Sequence, residues 1–142
     1  MNHPNPHIGL RHVALYIRNL EACEKFYVEI LGFNLDWKPD ADNIYLNSGG
    51  DNLALHRAKP DFNPGKDQHL DHIGLFLKEK TDVDAWFEFI KAQHGDIRKE
   101  PKDHRDGTRS FYCADPDGNI VQLIWVPQLT QDSTLDFQLF YG

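Results

Sequence analysis

The sequence predicts an α+β fold made of two β-α-β-β-β modules, and three observations predict it. The octapeptide LRHVALYI, Leu10 to Ile17, recurs sixty residues later as LDHIGLFL, Leu70 to Leu77. A stretch with helical periodicity follows each copy. Behind each helix come three short strand-like segments separated by turn residues. Self-similarity at this spacing marks one supersecondary unit written twice.

The strands come first. At the offset of sixty, Leu10 meets Leu70, His12 meets His72, Val13 meets Ile73, Leu15 meets Leu75 and Tyr16 meets Phe76. The period of two puts Val13, Leu15 and Ile17 on one face and His12, Ala14 and Tyr16 on the other. In the second copy Ile73, Leu75 and Leu77 oppose His72, Gly74 and Phe76. The aliphatic face calls for a helix, and LEACEKFYVEILG supplies one, with Ala22, Cys23, Phe26, Tyr27, Ile30 and Leu31 at helical spacing and Gly32 as its C-terminal cap. In KTDVDAWFEFIKAQHG the stripe is Val83, Trp86, Phe87 and Ile90, with Thr81 and Asp82 as N-cap candidates and Gly95 closing the end. The remaining strand candidates are FNLDWK, NIYLNS and NLALHRA in the first half, and DIRKEP, RSFYCA and NIVQLIW in the second. Turns at residues 40–43, at SGGDN and at ADPDGN separate them.

The boundaries that follow are a leader at 1–8, a first module at 9–58, a polar, proline-bearing linker at 59–69, a second module at 70–127 and a tail at 128–142. The modules together make one structural domain, as 142 residues allow. A lone module leaves one face of its sheet bare, so the two are expected to pair around a cleft, with the histidine faces inward.

Composition narrows the partners. With 22 acidic and 15 basic residues the formal charge is −7, which disfavours nucleic acid and anionic membranes and leaves small molecules or proteins. Cys23 and Cys113 are too few for a disulfide scaffold and read as buried thiols. No secretory leader and no spanning run of about 18 apolar residues is present, so a cytoplasmic location is expected.

The paired strands carrying His12 and His72, the helix end FYVEILGF and the segment RSFYCADPDGNIVQLIW resemble the vicinal oxygen chelate superfamily. That family includes glyoxalase I, extradiol ring-cleaving dioxygenases, fosfomycin-resistance enzymes and bleomycin-binding proteins. The resemblance runs from Gly9 to Pro127. It implies sheets that curl around a divalent metal to which substrate oxygens bind directly.

Carried over by position, the resemblance implies His12, His72 and Gln122 as metal ligands. The family commonly has a carboxylate where DPDGNIVQL has Gln122, and the matching slot of the first module holds Ala54. A neutral amide oxygen forgoes the charge of a carboxylate, so affinity is expected to fall. Zinc, nickel, manganese or cobalt suffers less from this than iron, whose usual set is two histidines and a carboxylate, and an extradiol dioxygenase is correspondingly disfavoured. Taken singly, an inward histidine is most often a hydrogen-bonded core or cleft residue; two in register point toward one shared ion.

His56 follows the strand pattern Leu53 to Leu55 on the parity of Ala54 and is a candidate proton carrier in catalysis. Arg57 and Arg109 are candidates to hold an anionic substrate group, against the alternative of surface salt bridges. Tyr16, Phe76 and Tyr112 are candidates to line the cavity. KDHRDGTRS reads as a loop over the cleft mouth, bringing His104 and Asp106 near a ligand, whereas His3 and His7 read as exposed. The tail carries Leu135, Phe137, Leu139, Phe140 and Tyr141, which suit a dimer partner or the chain's own cleft.

Two functions compete. One is a glyoxalase-like, metal-dependent lyase or isomerase acting on a small molecule through two adjacent oxygens, working as a homodimer. The other is a metal-free small-molecule binding protein of the bleomycin-resistance type, for which missing carboxylates are no handicap.

Overall fold

The computed structural model describes residues 1–65 and 67–127. Strand β1 (His12–Ile17) leads into helix α1 (Leu20–Lys25), which widens into a π-type turn over Phe26–Ile30. Strands β2 (Asn34–Asp40), β3 (Asn43–Asn47) and β4 (Asn52–Arg57) complete the first module. The second repeats the order with β5 (Ile73–Leu77), α2 (Lys80–Ala92), β6 (Asp96–Asp103), β7 (Arg109–Ala114) and β8 (Ile120–Trp125). The α+β class and the doubled β-α-β-β-β order are those expected, and every strand candidate forms. The two repeated strands are shorter than their octapeptides, with Leu10 and Leu70 both exposed ahead of them.

Each sheet is mixed. The orders are β1-β4-β3-β2 and β5-β8-β7-β6, with β1 parallel to β4, β5 parallel to β8, and the other pairs antiparallel. The parallel pair follows from topology, because the crossover through the helix returns the chain beside its first strand. β2 and β6 are edge strands with register shifts, and β2 is exposed throughout its length. Asp36, Lys38 and Pro39 along it discourage further strand pairing.

The helix ends show local chemistry doing what the sequence only partly signals. Asn19 caps α1 through its side chain, which accepts from the Ala22 N–H at 3.3 Å, and Gly32 ends the segment at φ +80°. At α2 the N-cap is Glu79, two residues before the expected Thr81, and its N–H donates to the Asp82 carboxylate at 3.0 Å. At the other end the left-handed residue is His94, at φ +60°, not Gly95. His94 N–H donates to Lys91 O and Gly95 N–H to Ile90 O, the paired bonds of a Schellman ending. Gly95 is required for a different reason, since a Cβ there would stand 2.4 Å from Ile90 Cγ2.

One continuous apolar core joins the modules. Leu15, Ile17, Ile44, Leu46, Leu53 and Leu55 of the first sheet cluster with Phe111, Cys113, Val121 and Leu123 of the second, through helix residues that include Cys23, Phe26, Tyr27, Val83 and Ile90. Both thiols are buried, and desolvation, with Asp115 beside them, pushes each up to about 12. A polar latch crosses the same junction. Tyr27 Oη donates to Asp115 Oδ2 at 2.8 Å, and Asp115 also accepts from the backbone N–H groups of Asp117 and Asn119 and from Asn119 Nδ2. Arg18 and the Asn19 N–H reach the carboxylate of Asp117. Burial and the adjacent Asp115 carboxylate hold the Tyr27 hydroxyl well above the usual phenol range.

Because the aliphatic faces are spent on joining the modules, the described residues do not enclose the histidine faces as expected. Tyr16 is 65% and Phe76 67% exposed, and the two sheets share no strand pair. The apolar tail at 128–142 lies outside the described residues. Among the described residues no helix is long and apolar enough to cross a membrane.

Candidate functional site

Two half-sites stand on these open faces. On the first sheet, register places Asn52 opposite His12 and Asn43 opposite His56. His12 Nδ1 lies 2.7 Å from Asn52 Oδ1, and His56 Nδ1 lies 2.6 Å from Asn43 Oδ1. On the second, His72 directly precedes β5, and its Nδ1 is 2.6 Å from Asp71 Oδ2. Each oxygen is an acceptor, so Nδ1 of each imidazole is the donor, and the neutral ring has its lone pair at Nε2. A carboxylate or amide oxygen behind Nδ1 is the support that metal-binding histidines commonly have.

Gln122 is held as firmly. It is 9% exposed, and its Nε2 donates to Ser110 Oγ and to Tyr112 Oη, both at 3.0 Å. Both amide hydrogens are thereby used, and Oε1 is left toward Gly74, where an added Cβ would sit 3.9 Å away. Gly74 and His72 share the sheet face on which Gln122 lies, since Gly74 pairs with Gln122. Tyr112 meets the His72 ring edge-on at 5.5 Å. Ser110 Oγ is also 2.8 Å from His104 Nε2, and His104 lines a recess of about 600 Å³ that reaches Tyr112 and Gln122.

The donor set suits a divalent ion that accepts neutral nitrogen and oxygen: two imidazole Nε2 lone pairs and one amide oxygen, each oriented from behind. Among the described residues no three His, Cys, Asp or Glu side chains gather to hold an ion. Any site made from these groups therefore depends on Gln122 as a third donor.

The expected residues divide accordingly. Tyr16 and His56 share the face of His12, with ring centroids 6.5 Å apart, while Phe76 and Tyr112 share the face of His72 and Gln122. The two arginines do not reach either face. Arg57 has the parity of Leu53 and Leu55, and so points to the helix side. There Nη2 meets Glu21 Oε1 at 2.5 Å and Nε meets Asp42 Oδ1 at 2.7 Å. Arg109 has the parity of Phe111, and binds Asp84 at 2.8 and 3.0 Å and Asp103 at 3.1 Å. These bonds hold the Asp84 and Asp103 carboxyls below the usual range and raise both guanidinium groups further. Both guanidinium groups are thus engaged in the salt bridges weighed as the alternative to a substrate role. Asp106 accepts from the Thr108 N–H and hydroxyl within its own loop.

Sequence reasoning missed the supporting residues: Asn52, Asn43, Asp71 and Ser110. Strand register was the available signal, because Asn52 sits two positions before Ala54 on the face already assigned to the cleft.

A profile of the Glyoxalase/Bleomycin resistance protein/Dioxygenase superfamily matches residues 9–123, and the chain belongs to that superfamily. It is 29% identical over 131 residues to 2,2',3-trihydroxybiphenyl dioxygenase of Sphingomonas paucimobilis, a match that covers 87% of this chain but only 43% of that protein. The chain thus spans less than half the length of this relative. It is 27% identical to metallothiol transferase FosB of Staphylococcus epidermidis, over 81% of this chain and 80% of the other. The crystal structure of lactoylglutathione lyase from Agrobacterium tumefaciens superposes with a TM-score of 0.70 at 22% identity, covering 85% of this chain and 96% of that one, a likeness of fold.

Proposed function

We propose that the protein is a divalent-metal-dependent enzyme of the lyase or isomerase type, acting on a small molecule chelated through two adjacent oxygens. The observation that carries this reading is the orientation of three donors: His12 and His72 with Nδ1 engaged and Gln122 with its amide nitrogen engaged, which leaves Nε2 of each histidine and Oε1 of Gln122 without a hydrogen bond among the described residues. A homodimer completes the site. Two-fold pairing that sets the His12 face of one copy on the His72 face of the other closes both open faces at once and makes two equivalent sites.

His12, His72 and Gln122 would hold a zinc, nickel, manganese or cobalt ion, which would supply Lewis acidity toward the substrate oxygens, and the neutral donor set favours these over iron. The chain's own residues do the rest. Ser110 and Tyr112 keep Gln122 from rotating, and Asn52 and Asp71 fix the tautomers of the two histidines. His56, with Nδ1 donating to Asn43, takes up a proton at Nε2. Tyr16 and Phe76 cover the carbon skeleton and exclude water.

A second reading, metal-free sequestration of a small molecule, is favoured by one observation: Gln122 and Ala54 occupy both slots where a carboxylate would stand. Elemental analysis of the untagged protein, purified from metal-supplemented medium, separates the two. The enzyme is expected to hold about one ion per site, His72→Ala to lose it, and Gln122→Glu to bind it more tightly. Wild-type protein without metal overturns the first reading in favour of the second.

A further inference from the structure

We infer that His104 is a positioning residue which, acting through Ser110, sets which end of the Gln122 amide faces the site. The inference rests on the proposed reading only in taking Gln122 as a donor to a ligand or ion. Gln122 Nε2 donates to Ser110 Oγ and to Tyr112 Oη, and both partners are hydroxyls. A hydroxyl donates as readily as it accepts, so these two neighbours would serve equally well an amide flipped end for end, with Oε1 held by them and the NH2 group toward Gly74. The choice is made one bond further out. His104 Nε2 lies 2.8 Å from Ser110 Oγ, and Ser110 is 1% exposed. Among the described residues the Ser110 hydroxyl meets only His104 Nε2 and the Gln122 amide nitrogen, and an amide nitrogen cannot accept. The hydroxyl hydrogen therefore goes to His104, which leaves the Oγ lone pairs to receive the amide N–H.

The local fold prepares this arrangement. His104 opens the turn between β6 and β7, where its N–H donates to Thr108 O at 2.8 Å and its carbonyl accepts from Gly107 N–H at 3.0 Å. Gly107 stands at φ +90°, a conformation that a side chain would strain, and Asp106 accepts from the Thr108 N–H and hydroxyl at 3.0 and 2.7 Å. On β7, Tyr112 pairs with Gln122 and Ser110 with Ile124, so the two hydroxyls and the amide share one face of the sheet. The series His104, Ser110, Gln122 then has two complete hydrogen-bonding patterns, and any third leaves a buried group unpaired. With Nε2 of the neutral His104 ring accepting, Gln122 offers an oxygen to the site. With Nε2 donating, Ser110 turns its hydrogen to the amide oxygen, and Gln122 offers an NH2 group instead. An oxygen attracts a cation or a ligand hydroxyl, whereas an NH2 group repels a cation. The place of the proton on one imidazole thus sets the polarity of the site.

The test uses the full-length wild-type protein, His104→Ala and His104→Gln, and Gln122→Glu with and without His104→Ala. Nuclear magnetic resonance follows the Gln122 side-chain amide, whose signals are those missing from Gln122→Glu. In the wild type these hydrogens are expected to show Overhauser contacts to Ser110 and Tyr112, and His104 Nε2 to give the shift of an unprotonated nitrogen in the neutral ring. His104→Ala is expected to move the contacts to Gly74, and His104→Gln, whose side-chain oxygen can accept from Ser110, to restore them. A purely structural role for His104 predicts no such exchange of partners. Calorimetry with zinc alone reads the consequence. His104→Ala is expected to lower zinc affinity about tenfold or more in the otherwise wild-type chain, and to leave it unchanged in the Gln122→Glu background, because a carboxylate presents an oxygen either way round. A protonated Nε2 in the neutral wild-type ring, an amide that keeps its contacts in His104→Ala, or zinc affinity that is unaffected or falls equally in both backgrounds overturns the inference. Wild-type protein that binds no zinc overturns the metal-dependent reading alone, and the amide contacts still decide this one.

Discussion

His94 holds a left-handed backbone at φ +60° that a histidine adopts at a cost, while its neighbour Gly95 has no room for a side chain because Ile90 Cγ2 would lie 2.4 Å from it. The two residues should therefore respond oppositely to substitution. His94→Gly is expected to raise stability by about 0.5–1 kcal/mol, and Gly95→Ala to lower it by about 1–3 kcal/mol, both read from urea unfolding. At this scale the sequence is legible where it repeats. His12 and His72 stand out because the same octapeptide presents each, and the period of two assigns their face. The same rule applies to Arg57 and Arg109: Leu53, Leu55 and Arg57 are a period-two run, and so are Arg109, Phe111 and Cys113. Charge drew the arginines toward a substrate role, whereas parity points them to the acidic residues on the helices. The hydrogen bonds that orient Gln122 were hidden for a different reason, since they join residues ten and twelve positions apart through strand pairing.

Helices and strands carry the next level of specification. The helices were legible from their stripes, and their ends less so, because a cap is decided by single bonds such as that from Glu79 N–H to Asp82. Contact between elements was least legible. Nothing in the helical periodicity distinguishes Tyr27 from Phe26 in the π-type turn after α1, yet it is the Tyr27 hydroxyl that reaches across to Asp115, which gathers four donors around its carboxylate. Tyr27→Phe preserves the ring but removes one of those donors from a buried acceptor. It is expected to destabilise the protein by about 1–3 kcal/mol, measured by thermal or urea unfolding. An unchanged midpoint would mean that the remaining three donors satisfy Asp115.

For the whole molecule the decisive question is which surfaces are used within the chain and which between chains. The doubled module was legible from the doubled sequence, but the way the halves join was not, because each module offers two faces and the pattern alone assigns neither to the other module. The aliphatic faces make the common core, and the faces bearing Tyr16 and Phe76 are where the proposed homodimer would seat its second copy. Sedimentation is expected to give a particle of twice the chain mass. Phe76→Glu, which would set an unpaired carboxylate into that contact, is expected to shift the protein to a single chain. A wild-type protein that stays monomeric at micromolar concentration would refute the shared site.

The bond from Tyr27 to Asp115 also bears on how the halves are related. At the offset of sixty, Tyr27 corresponds to Phe87, which has no hydroxyl and packs instead on the Phe111 ring at 5.6 Å. Aligning Ala54 with Gln122 puts Asn47 where Asp115 would fall. The first half holds the hydroxyl of this fastening and the second the carboxylate, so the two halves are not interchangeable at this contact. A self-pairing of either half would leave this clasp without its mate, so the repeated unit is held together here by a division of labour between its two copies.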